Sequence, residues 1–172
     1  MPFNIDNFKS TVTGIQRPSL FEVYVTGAPV IGSFSTQNFV FTCKSAQVPA
    51  SNIGVIPVPY MGRKINFNGD RNYEEWSTTI FIDNKWNTYK DIFNWHQAMN
   101  GAQSNIASTG NMNNLKGTAN LKVYSQEGNV NLNIKLVGFW PSSIQAIEMA
   151  WDNNDAMTEA TVTWQYDYAL LV

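Results

Sequence analysis

ANLKVYSQEGNVNLNIKLVGFW, residues 119–140, is the stretch that decides the fold. Apolar and polar residues alternate on either side of the turn-forming run SQEGN. Leu121 and Val123 therefore share a face with Val130, Leu132, Ile134 and Leu136 of a returning strand, while Asn131, Asn133 and Lys135 take the reverse face. The closing segment repeats the pattern, with Ala160, Val162, Trp164, Tyr166 and Tyr168 alternating with Thr161, Thr163, Gln165 and Asp167. Each of these strands has one apolar face and one that is almost uncharged.

Further upstream the same signal weakens. LFEVYV (20–25) and NFVFTCK (38–44) are rich in β-branched and aromatic residues and predict two paired strands, separated by turn formers between Gly27 and Ser35. AQVPASNIGVIPVPYMG carries three prolines and two glycines, which exclude a central strand over its whole length and predict a long extended loop. KINFN and WSTTIFID then predict strands flanking GDRNYEE, with Trp76, Thr78, Ile80 and Ile82 on one side and Ser77, Thr79 and Phe81 on the other. In NTYKDIFNWHQAMNG the period becomes helical: Thr88 and Asp91 have capping-box spacing, Ile92, His96 and Met99 share a face, and Gly101 supplies a stop. A short helix or arm is expected from Phe3, Ile5, Phe8 and Val12, with Asn4 or Asp6 as cap and Gly14 as stop. The polar run from Gln103 to Gly117 predicts a mobile loop. These elements sum to a mainly β, antiparallel sandwich or barrel with one packed helix, in a single domain spanning 1–172.

Composition narrows the function. Of the 172 residues, 44% are hydrophobic and only 14% charged, against about 25% charged in ordinary soluble domains. A surface so neutral, in a chain with 13% aromatics, suits faces that other chains will cover, and predicts an oligomer. Net charge of −2 argues against gripping nucleic acid through phosphates. The single Cys43 permits no internal disulfide, MPFNIDNFK lacks the features of a secretory leader, and no run reaches the about 20 apolar residues that span a bilayer. Synthesis and retention in a reducing cytoplasm, or export inside something larger, is expected.

No reacting constellation emerges. His96, the only histidine, sits in an apolar helical pattern and reads as a packed, hydrogen-bonded residue. Cys43 reads as a small buried hydrophobe. Glu74 and Glu75 are adjacent, so a strand would point them apart instead of across a glycosidic bond. WDNND lacks the glycine and terminal glutamate of a calcium loop and reads as an Asx-rich turn after Trp151. GRKINFNG has no Lys-Ser/Thr after its second glycine and is no P-loop. Neither cofactor nor metal nor small-molecule substrate is expected.

The densest charge lies in VPYMGRKINFNGDRNYEEW (58–76), with three of the eleven cations and three of the thirteen acids. Together with FTCKSAQVPA, GFWPSSI, WDNND and TVTWQYDY, in this order from Arg17 to Tyr168, this block resembles the tail tube proteins of T4-like contractile-tailed bacteriophages. The chain departs from that pattern in GAPVIGSFSTQN, in the Gln103–Asn114 loop and in the LLV ending.

The resemblance implies a β-sandwich subunit of a virion. It would form six-membered rings stacked into a hollow tube inside a contractile sheath, through which double-stranded DNA passes transiently and without sequence preference. Expected partners are other copies of the chain, the sheath protein, the tape-measure protein, baseplate tube initiators and a tail terminator. Under that expectation Val55, Ile56, Val58, Tyr60 and Met61 insert into an adjacent ring, while Arg63, Lys64, Asp70 and Arg71 supply charge pairs. Some of Asn131, Asn133, Thr161, Thr163, Gln165 and Asp167 face the channel. A type VI secretion or other injection tube is the nearest alternative, and a carbohydrate-binding sandwich the alternative of another class.

Overall fold

The computed structural model describes residues 5–12, 14–32, 34–152 and 155–172. Phe3, the cap candidate Asn4 and the asparagines of WDNND lie outside them.

The central hairpin forms as its alternation demands. β6 (Gly117–Tyr124) pairs antiparallel with β7 (Val130–Ile144), placing Leu121 opposite Ile134 and Val123 opposite Leu132. β1 (Phe21–Thr26) lies on the other side of β6. β7 is the longest strand and joins the two halves of one seven-stranded sheet. Its first half pairs with β6 and with the terminal β9 (Tyr168–Leu171), and its second half with β8 (Glu159–Gln165). β8 in turn pairs with β5 (Trp76–Phe81), and β5 with β2 (Cys43–Ala46).

The strand bends between its halves at Gly138, whose φ of +69° few other residues adopt without strain. A Cβ there would also lie 2.0 Å from the Asp167 carboxylate. Pro141 follows, at a register shift where a missing ladder donor is tolerated.

One core fills the space between the two halves of this sheet. Val23, Val25, Leu121 and Leu136 come from the β1–β6–β7 half, and Ile80, Val162 and Trp164 from the β8–β5 half. At its centre Trp164 stacks on Phe139 with ring centroids 4.4 Å apart, flanked by Trp95, Trp76 and Phe39. Each buried indole N–H has an acceptor: Trp164 donates to Thr78 Oγ1 at 2.9 Å, Trp95 to the Leu115 carbonyl at 2.8 Å, and Trp76 to the Gln47 carbonyl.

Several sequence expectations are corrected. The segment 38–44 is not a strand: α2 (Thr36–Thr42) is helical, and β2 starts only at Cys43. Ser35, just upstream, caps it by accepting from the Asn38 N–H at 3.3 Å, and burial of Phe39 and Thr42 outweighs β propensity. The predicted pairing of the first two strands is replaced by β1 on β6 and β2 on β5.

The helix α3 (Asn87–Met99) is present, but its capping box is not. Thr88 is buried with its hydroxyl 3.2 Å from that of Thr42, Asp91 accepts from the Ser35 N–H at 3.3 Å, and Asp83 satisfies the Asn87 N–H at 3.0 Å. The final strand breaks after Gln165, so Tyr168 belongs to β9 and is exposed instead of continuing the buried row. Within 103–117, residues Met112–Asn114 make a 3-10 turn capped by Asn111.

The proline-rich loop is also a strand. β3 (Ser51–Tyr60) pairs with β4 (Arg63–Tyr73), which absorbs most of the expected GDRNYEE loop. With no third strand beside it among the described residues, this pair can turn the missing N–H groups of Pro57 and Pro59 to its open edge. The N-terminal helix α1 spans Ile5–Thr11 and exposes Ile5 and Phe8.

Candidate self-assembly surfaces

The β3–β4 hairpin leaves the end of the sheet where Trp76 pairs with Trp164, and turns at Met61 and Gly62, both with positive φ. Ten residues of strand reach about 33 Å. Across the turn Tyr60 faces Arg63, Val58 faces Ile65 and Ile56 faces Phe67. Opposed residues share a face, so these six form one ladder, apolar except at its tip. Val55, Pro57, Pro59 and Lys64 fall on the reverse face.

The proposed contact set is thus divided: Ile56, Val58, Tyr60 and Arg63 together, Val55 and Lys64 behind them, and Met61 at the turn, 88% exposed. Asp70 and Arg71 lie near the root, beside a register shift where the Gly54 and Gly69 backbones lie close together, and a Cβ on Gly69 would meet Gly54 at 3.2 Å. Among the described residues none of Arg63, Lys64, Asp70 and Arg71 forms an ion pair. Ile65 and Phe67 were missed in the sequence reading, although the pairing that a Met-Gly turn imposes would have put them on the ladder.

A second surface is polar. On the outer side of β5 and β8, Ser77 pairs with Thr163 and Thr79 with Thr161, while Gln165 donates to Glu75 at 2.8 Å. The charges at the rim are matched by Lys44 with Glu159. Asn131 and Asn133 belong to the other outer face, where Asn133 lies opposite Lys122 and Asn120 opposite Lys135. Asp167 sits at the β8–β9 break, paired with Lys116 at 2.7 Å. The channel candidates are therefore spread over two faces and a corner. Ser77 and Thr79 join Thr161 and Thr163 by register, a grouping already implicit in the alternation of WSTTIFID.

Titratable groups elsewhere serve structure. The Glu22 carboxylate accepts from Tyr24 at 2.6 Å and Tyr124 at 2.7 Å, and these bonds hold it below the usual carboxylate range. Lys122 lies 4.7 Å above the Tyr24 ring. Burial pushes the Cys43 thiol up to about 12, where it is a poor nucleophile. Burial also lowers the pKa of His96, partly offset by a hydrogen bond to the Pro141 carbonyl, while its Nε2 has no partner among the described residues.

A sandwich with a closed aromatic core, a projecting apolar arm and a flat hydroxyl face is a subunit built for assembly. The chain belongs to the phage tail tube protein family, whose model matches residues 13–170. It is 31% identical over 153 residues to tail tube protein gp19 of Enterobacteria phage T4, covering 88% of this chain and 89% of that one. To the tail tube protein of Serratia phage KSP90 it is 27% identical over 158 residues, covering 91% and 89% respectively. The fold also matches a chain from the sheath–tube complex of an extracellular contractile injection system in its extended state. That match has a TM-score of 0.66 and 12% identity, over 99% of both chains. The family is one of structural virion components that associate with themselves, not of enzymes.

Proposed function

We propose that this protein forms six-membered rings that stack into the inner tube of a contractile phage tail, the conduit through which the genome leaves the virion. The observation that carries this reading is the β3–β4 hairpin. It has no neighbouring strand among the described residues, and it exposes Ile56, Val58, Tyr60, Ile65 and Phe67 by 42 to 61% each. An isolated two-stranded hairpin is marginal in water, and an apolar ladder of this size calls for a cover. Another copy of the chain in the next ring supplies it.

The bore is assigned to the outer face of β5 and β8, with Thr161, Thr163, Gln165, Ser77 and Thr79. Hydroxyl and amide groups leave sliding DNA nothing to bind tightly. The Asn131 and Asn133 face carries Lys122 and Lys135, and each lysine would attract phosphate in a salt-dependent way. The sheath and tape-measure proteins, the baseplate initiators and the terminator are the further partners of such a tube.

The test is Ile65→Ser combined with Phe67→Ser. Rings of native mass that no longer elongate are expected in electron micrographs. Tubes of normal length would overturn the stacking role of the hairpin.

A further inference from the structure

Resting on that stacking reading, the structure also points to the surface that receives the hairpin. After Lys135 the chain contains no lysine or arginine, but five acids. Two of these are neutralised within the subunit, Glu159 by Lys44 and Asp167 by Lys116. Glu148, Asp152 and Asp155 have no cationic partner among the described residues. All three fall in the connection from β7 to β8, which encloses an open cleft of about 470 Å³ lined by Ile147, Met149, Trp151 and Met157 among others. Trp151 is fully exposed, and Met149 and Met157 are each 69% exposed.

The hairpin has the opposite character. From Val48 to Gly69 its only charges are Arg63 and Lys64, and both directly follow the turn, Arg63 at the end of the apolar ladder and Lys64 behind it. The two features also occupy opposite ends of one sheet. The hairpin departs where Trp76 meets Trp164, and the cleft opens beyond the pair of Phe81 with Glu159. The six residues of β5 between these ends span about 20 Å, less than the reach of the arm. Head-to-tail stacking requires two different, complementary surfaces at opposite poles, because only then does each copy both give and receive.

We infer that the tip of the β3–β4 hairpin, with Tyr60, Met61, Arg63 and Lys64, seats in the Met149–Trp151–Met157 cleft of a second copy in the adjacent ring. Methionine and tryptophan provide an adaptable apolar floor, and the cations meet Glu148, Asp152 and Asp155 at the rim, where such pairs fix orientation and register. Arg63 over the Trp151 ring adds a cation–π contact.

Two experiments decide it. The first is a charge swap. Arg63→Glu with Lys64→Glu, and separately Glu148→Lys with Asp155→Lys, are each expected to leave rings intact and cut tube yield at least tenfold. Combining all four substitutions restores elongation. The second joins Tyr60→Cys to Trp151→Cys in a Cys43→Ser background, and oxidation of assembled tubes gives a ladder of covalent multimers that isolated rings lack.

If the four-fold variant stays at rings and no ladder forms in tubes that do assemble, the receiving cleft is wrong. The stacking reading, tested separately by Ile65→Ser with Phe67→Ser, is untouched by that result. Normal tubes from Arg63→Glu with Lys64→Glu would overturn the charge pairing. Burial of Trp151 by added sheath protein, and not by ring stacking, would assign the cleft to the tube exterior and overturn the inference.

Discussion

Glu22 shows how single residues hold an outward face in shape. It accepts from two tyrosines on neighbouring strands, Tyr24 and Tyr124, and its pKa is lowered chiefly by those bonds. A group whose folded pKa lies below its unfolded value stabilises the fold above the unfolded pKa. That contribution is lost as pH falls through the folded pKa. Glu22→Gln is therefore expected to cost stability at neutral pH, with the gap from the native subunit closing as the solution is acidified below the usual carboxylate range. Urea denaturation at several pH values checks this; a gap that stays constant would remove the ionised carboxylate from the account. The bond to Tyr124 could not be read from sequence, since Tyr124 lies 102 residues from Glu22. His96 was expected to be packed and hydrogen-bonded, and it is half-buried with one bond to Pro141 and an Nε2 that has no partner among the described residues.

Among the elements, β7 decides the architecture, because one strand belongs to both halves of the sheet. Its bend depends on Gly138, where φ is positive and the space a side chain would need is taken by Asp167. Gly138→Ala is expected to destabilise the subunit by about 1–3 kcal/mol from backbone strain alone, with a further loss as Asp167 is pushed off Lys116. Denaturant midpoints of the unassembled subunit measure it, and a change within about 0.5 kcal/mol, the range of indifferent surface sites, would refute the hinge. The alternation that revealed β6, β7 and β8 was legible because each has one face in the core and one outside. Helix α2 was not, because Phe39, Val40 and Phe41 resemble a strand locally and only the burial of one helical face settles the matter. The β3–β4 arm was hidden by its prolines, which are penalised in central strands but tolerated on an open edge.

For the whole molecule, the low charge seen in composition becomes a distribution. Among the described residues, the face of Ser77, Thr79, Thr161 and Thr163 carries no ionised group between the Lys44–Glu159 pair at one rim and Glu75, bonded to Gln165, at the other. If it lines the bore, Thr161→Lys with Thr163→Lys is expected to leave tube assembly intact and slow genome release by at least tenfold at low salt, with recovery as salt rises. Asn131→Lys is expected to have little effect. Equal slowing by both variants, measured as DNA release from purified virions, would overturn the choice of face.

Sequence alone determined the β class, the packed helix, the apolar rows of β6, β7 and β8 and the neutrality of the surface, because alternation and composition are local properties. It also placed the cationic, glycine-spaced block in a segment outside the core. Only the tertiary structure decided that this block is an arm with an apolar ladder, that Ile65 and Phe67 belong to it, and that the channel candidates lie on separate faces. Cross-strand register and the bend at Gly138 join residues far apart in the chain, and no local pattern encodes which ones will meet.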